Sequence, residues 1–230
     1  MLIKNNFSAV HTSQRNGRKP DYIVIHYTAG VTSRAGSALN VSNYYKNSND
    51  VSADFTVDDE DIVQYNGDIR NRYTWHCGGK KYGTKGGSFF GKCTNANSIG
   101  VEICSTNSTG KMQNANDKSY SFTPAAVANA AQLVKKIMAE YNIPADRVIR
   151  HYDVNGKPCP GIIGWNAESG SEEQWHKFKA QLTDGAVSAA PEKTTVKYYV
   201  QVGAFSDKAN AEKFLRSVQI HFPKAFIKEI

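Results

Sequence analysis

The stretch DYIVIHYT, residues 21–28, decides how the chain is read. It alternates and is rich in β-branched side chains, so it reads as a strand that ends at His26. SIGVEICS (98–105) is a second such strand, with Glu102 set among apolar residues, and VIRH (148–151) is a short third that closes at His151. SADFTV and DIVQYN flank the acidic turn DDE and form a hairpin pattern. Between the strands lies helical sequence. A Ser/Ala/Asn-rich helix is expected over about residues 35–47. Thr123 stands as an N-cap with Pro124 in the first turn, followed at helical spacing by Val127, Ala130, Leu133, Val134, Ile137, Met138 and Tyr141. Ser171 and Gln174 offer a capping box for a last helix bearing Trp175, Phe178 and Leu182. Strands and helices in this order predict an α/β domain over residues 1–182.

The remaining chain changes character. TDGAVSAAPEKTT is small, polar and proline-containing, so residues 183–196 read as a linker. Behind it, over 197–230, YYVQVGAF, DKANAEKFLRSVQIHF and KAFIKEI predict one strand–helix–strand unit, too small to bury a core of its own. It must dock, or pair with another copy; its open strand edges make a homodimer through this unit one expectation. A 230-residue chain suits one medium domain plus such a small one. No stretch has the unbroken apolar length of a membrane helix. The opening MLIKNNFSAVHTSQRNGRKP carries no apolar core of a signal peptide, so synthesis in the cytoplasm and release by another route are expected. A net charge of +7 favours polyanionic surroundings, either nucleic acid or acidic wall polymers. There is no dense basic tract and no aromatic–basic signature of an RNA-binding sheet, which disfavours nucleic acid.

Three strand ends therefore carry His26, Glu102 and His151, and Cys159 follows on HYDVNGKPCPG (151–161). Pro158 and Pro160 stiffen the backbone around that cysteine and hold its sulfur in one direction. Two neutral imidazoles and a thiolate make a zinc ligand set that leaves a fourth position for water. Glu102 would serve as the base, and Lys157 could stabilise a developing oxyanion. The same residue types have commoner uses: a strand-end histidine often hydrogen-bonds at the surface, and a lone cysteine packs in a core. Spacing alone leaves both readings open. The four cysteines form no CxxC pair, although a Cys77–Cys93 bridge across the Gly/Lys-rich loop is conceivable.

The pieces IVIHYTAG, TWHCGG, NSIGVEIC and HYDVNGKPCPG, in that order, resemble the zinc-dependent N-acetylmuramoyl-L-alanine amidases of the type 2 family. That family also holds peptidoglycan recognition proteins and phage lysozyme-amidases. The resemblance runs from about Asp21 to Leu182. It implies a mixed central sheet flanked by helices, with His26, His151 and Cys159 as Zn2+ ligands. It also implies Glu102 as general acid and base, Lys157 as a catalytic lysine, and His76 as a substrate-binding residue lining the cleft. Asp153 is expected to form local hydrogen bonds rather than a metal bond. Where the family often has a histidine or tyrosine, this chain has Ala53-Asp54-Phe55, which throws the base role onto Glu102. Non-catalytic recognition proteins of the family typically lack the cysteine, so its presence implies an enzyme. The expected reaction is hydrolysis of the amide between N-acetylmuramic acid and L-alanine of peptidoglycan, by a phage or prophage endolysin of a Gram-positive host. The alternatives are a host autolysin and a non-hydrolytic peptidoglycan-binding protein. YYVQVGAFSDKANAEKFL resembles the opening half of a SPOR domain, which implies a peptidoglycan-binding segment over 197–230.

Overall fold

The computed structural model describes residues 2–48, 50–83, 85–183 and 206–219. Two compact units divide the chain, Met1–Ser188 and Ala189–Ile230. In the first, the strands are β1 (Ile3–Asn5), β2 (Thr12–Gln14), β3 (Tyr22–Tyr27), β4 (Phe55–Val57), β5 (Ile62–Gln64), β6 (Arg72–Thr74), β7 (Ser98–Ile103), β8 (Thr106–Asn107), β9 (Tyr120–Ser121) and β10 (Val148–Arg150). The helices are α1 (Ser37–Asn47), α2 (Pro124–Tyr141), α3 (His151–Asn155) and α4 (Glu173–Thr183). Six strands form the main sheet in the order β1-β5-β4-β7-β3-β10. β4, β7, β3 and β10 run parallel, while β5 is antiparallel to β4 and carries β1 alongside it. The fold is thus the mixed α/β sheet flanked by helices that the sequence predicts.

Alternation along the strands sorts their side chains onto two faces. Ile23, Ile25 and Tyr27 of β3 and Ile99, Val101 and Ile103 of β7 enter one core with Leu133, Val134 and Ile137 of α2 and Phe178 of α4. Each such side chain, fully withdrawn from water, stabilises the fold by about 1.5–3 kcal/mol. α2 starts where its signals place it: the Thr123 hydroxyl accepts the Ala126 N–H, and Pro124 occupies the first turn. On the opposite face, α1 is pinned at its first turn. Thr56 Oγ1 donates to the Ala38 carbonyl at 2.8 Å, and the buried Asp58 carboxylate accepts the Ala38 N–H at 2.8 Å.

The structure corrects two local expectations. His151 opens the short helix α3 instead of closing a strand, because Asp153 Oδ2 takes the Arg150 N–H and its guanidinium Nε–H and caps the turn. The Gly/Lys-rich loop after Cys77 is anchored on α3, with Tyr82, Gly87 and Phe89 N–H groups donating to the Asn155, Tyr152 and Asp153 carbonyls. All four cysteines are free thiols.

In the second unit, α5 (Lys208–Gln219) is the helix of the expected strand–helix–strand segment. The two flanking strands, most of the linker and the pairing surface expected for a dimer lie outside the described residues. Among the described residues no helix is long and apolar enough to cross a membrane.

Candidate active site

The site grows from register. In the parallel pairings His26 of β3 stands beside Glu102 of β7, which stands beside Thr56 of β4. Neighbours in register share a face, so the imidazole and the carboxyl emerge together near the carboxyl ends of the strands. That is where open α/β sheets form crevices. β10 runs parallel on the other side of β3, and His151 is the first residue beyond it. The chain then turns back on itself: the Cys159 carbonyl accepts the Tyr152 N–H at 2.9 Å, which sets Cys159 against the start of α3.

His26, His151 and Cys159 are all buried, and their ligand atoms lie within 4.8 Å of one another. His26 Nδ1 is 3.2 Å from His151 Nδ1 and 3.6 Å from Cys159 Sγ. Burial, with the nearby histidines and Lys157, pulls the His26 pKa well below its usual value; burial first, then Lys157, takes His151 down to about 3. Both imidazoles are therefore neutral, as metal binding requires. Burial and the Glu102 charge push the Cys159 thiol up to about 12, so the thiolate needs a cation beside it. His151 Nε2 is buried without a partner. Two neutral imidazoles and a thiol turned toward one another with an orphaned ring nitrogen fit Zn2+, and softness and ligand number agree.

Glu102 is half-buried, but its Oε2 is fully enclosed and has no hydrogen-bond partner. Burial lifts its pKa to about 8, against the pull of Lys157 and His76. Lys157, two residues before Cys159, is exposed, yet its charge is felt at Glu102, His26, His151 and Cys159. Asp153 is absorbed structurally: both its oxygens bind the buried Arg150, which also reaches the Trp165 carbonyl and Glu172. Asp54, in the segment where the family often has histidine or tyrosine, is fully buried and accepts from Asn66, Thr74 and the Gly100 N–H. These bonds give it a structural place in the fold.

His76, expected to contact substrate, has both ring nitrogens engaged inside the protein. Nδ1 is 3.0 Å from His26 Nε2, and Nε2 is 3.1 Å from Ser98 Oγ. Its ring lies over Gly100, where a Cβ would come within 2.7 Å of the imidazole. Burial opposes a charge on His76, while Cys77 and Asp54 favour it, with a net upward shift. Ser98 and Gly100 lie against His76 and were not singled out by motif reasoning. A glycine inside an apolar strand was the available signal, since it marks close approach of another group.

Residues 16–162 match the profile of the family described as N-acetylmuramoyl-L-alanine amidase, and residues 167–229 match that of the SPOR domain. The second match begins upstream of α4, whose Trp175, Phe178 and Leu182 are part of the main core of the first unit. The amidase CwlA of Bacillus subtilis is 36% identical over 186 residues, 78% of this chain and 59% of its own length. CwlH of the same organism is 36% identical over 172 residues, 73% of this chain and 59% of its own. The chain thus spans a little under two thirds of the length of these relatives. Among solved structures, the catalytic domain of XlyA is 31% identical with a TM-score of 0.54, covering 79% of this chain and 99% of that one. An endolysin from Bacillus subtilis is 30% identical with a TM-score of 0.55, covering 79% and 99%. With its fold and its cluster of His26, His151 and Cys159 in place, the chain belongs to the N-acetylmuramoyl-L-alanine amidase family.

Proposed function

We propose that this protein is a zinc-dependent hydrolase that cleaves the amide between the lactyl group of N-acetylmuramic acid and the L-alanine of the peptidoglycan stem peptide. The observation that carries the reading is one juxtaposition. His26 of the three-donor cluster with His151 and Cys159 stands in register beside Glu102, whose Oε2 is enclosed and unpartnered. The names of the similar amidases support the substrate.

His26, His151 and Cys159 would hold the ion. Zinc, when bound there, supplies Lewis acidity to a carbonyl oxygen and makes water acidic enough to react near neutral pH. Glu102 does the proton work. Burial raises the proton affinity of its carboxylate, which takes a proton from the attacking water. As the carbon–nitrogen bond breaks, Glu102 returns that proton to the leaving nitrogen, freeing the alanine amine and a lactyl carboxylate. Lys157 lends its charge to the carbonyl oxygen while that oxygen is negative. Neutral His26 and His151 add no positive charge to compete with the ion.

The endolysin among the similar structures supports a lytic role at the wall for a phage or prophage enzyme, made in the host cytoplasm and meeting its substrate after release. The SPOR match and the net charge of +7 support retention on peptidoglycan by the C-terminal segment. The test is product identity. Digestion of purified Gram-positive walls should free alanine amino groups without new reducing sugar ends. A rise in reducing ends, or walls bound but left intact, would refute amide hydrolysis.

A further inference from the structure

We propose that His76 is a positioning residue that fixes His26 as its Nε2–H tautomer and so directs the Nδ1 lone pair at the metal; the proposal rests on the zinc reading above. Ser98 has a single hydroxyl proton, and its Oγ lies 2.6 Å from the Thr94 carbonyl, which can only accept. Ser98 Oγ is therefore an acceptor toward His76 Nε2 at 3.1 Å, and the His76 proton sits on Nε2. In the neutral pair, His76 with its proton on Nε2 accepts at Nδ1 from His26 Nε2, 3.0 Å away. His26 is left with its lone pair on Nδ1, the nitrogen that faces His151 and Cys159. The opposite proton order would put a hydrogen on His26 Nδ1, in the middle of the donor cluster. It would also leave two lone pairs facing each other between His76 and Ser98. A ligating histidine whose other nitrogen is fixed in this way holds its metal more tightly.

The fold is arranged to keep this chain of bonds in line. Ser98 and Gly100 occupy alternate positions of β7, on the face that carries Glu102. Gly100 leaves the space that the His76 ring fills. The backbone N–H groups of His76 and Cys77 both donate to Asn95 Oδ1, at 3.1 and 2.7 Å. The buried Arg15 guanidinium donates to the Ala96 and Ser98 carbonyls, tying the loop to the start of β7. Cys77 Sγ, 3.5 Å from Ser98 Oγ, can donate to its remaining lone pair without disturbing the order.

The experiment pairs two-bond 1H–15N histidine spectra of the zinc-loaded full chain with zinc affinity measured against a chromophoric chelator. Wild type, His76→Phe and His76→Asn are compared. The spectra should show His26 protonated at Nε2 with Nδ1 coordinated, and His76 protonated at Nε2. His76→Phe fills the space over Gly100 but offers no nitrogen, and should weaken zinc binding about 10–100-fold. His76→Asn, whose amide oxygen can accept from His26, should recover part of that loss. A His76 proton on Nδ1, or on both nitrogens, would overturn the proposal, as would wild-type zinc affinity in His76→Phe. If His76→Phe fails to fold, the wild-type spectra decide alone. A wild type that binds no zinc would instead bring down the zinc reading, and the proposal with it.

Discussion

Replacing Glu102 by glutamine keeps the size of the side chain and removes its titration. In the metal-free protein the carboxyl titrates near 8, against 4.5 for an ordinary glutamate, because it is buried. A carboxyl whose folded pKa is raised favours the fold while it is protonated. Its contribution is fully present below pH 4.5 and is lost as pH rises through 8. At 1.36 kcal/mol per unit, the ionisable glutamate costs the metal-free fold about 3 kcal/mol at pH 7 and approaches about 5 kcal/mol above pH 9. Glu102→Gln should therefore match wild type in stability at pH 4.5 and exceed it by about 3 kcal/mol at pH 7. His26 and His151, held neutral by burial, act in the opposite sense: their contribution falls as pH drops below 6.5. Both proteins carry them, so they cancel in the difference. Denaturant unfolding of the two chelated proteins at pH 4.5, 7 and 9 measures it. The same variant should lose about 10²–10⁴-fold of its rate of amide hydrolysis, since proton transfer of this kind supplies that much. A stability difference that does not change with pH would refute the buried-carboxyl reasoning, whatever the activity does.

Other residues separate the roles further. Cys159→Ser removes the only thiolate donor of the cluster and should lower zinc affinity by more than about 100-fold, beyond what loss of a supporting hydrogen bond costs; chelator competition reads it. Lys157→Ala should retain its zinc and fold while kcat drops about 10²–10³-fold, the usual effect of removing one oxyanion-stabilising group. An unchanged kcat would remove Lys157 from the chemistry. Phe178→Ala empties a fully buried position between α4 and the sheet and should cost about 3–5 kcal/mol of stability. It should leave zinc affinity of the folded protein intact, because His26, His151 and Cys159 all remain.

Much of the fold was legible because its elements announce themselves locally. α2 carries its own N-cap, first-turn proline and apolar stripe, and β3 and β7 are short buried runs rich in β-branched residues, so each was read within a residue or two. The short strands β1, β2 and β6 were not, since three mostly exposed or half-buried residues leave no periodic signal. Their pairing is set by distant partners. In the site, His26, Glu102 and His151 were visible as polar groups closing apolar strands, and Cys159 through its prolines. The place of His151 at the head of a helix depends on Arg150 and Asp153, which is side-chain chemistry that no periodicity records. His76 shows the same limit. Its motif marked it as functional, but its engagement with His26 and Ser98 depends on the space above Gly100 and appears only in three dimensions.

The central claim is hydrolysis that depends on zinc held by His26, His151 and Cys159. It is tested most directly by measuring, on one preparation, bound zinc per chain and alanine amino groups released from purified walls. Both are measured as isolated, after chelation, and after zinc is restored. One zinc per chain, loss of amine release on chelation and its return with zinc are expected. Amine release that persists in fully zinc-free protein would contradict the claim.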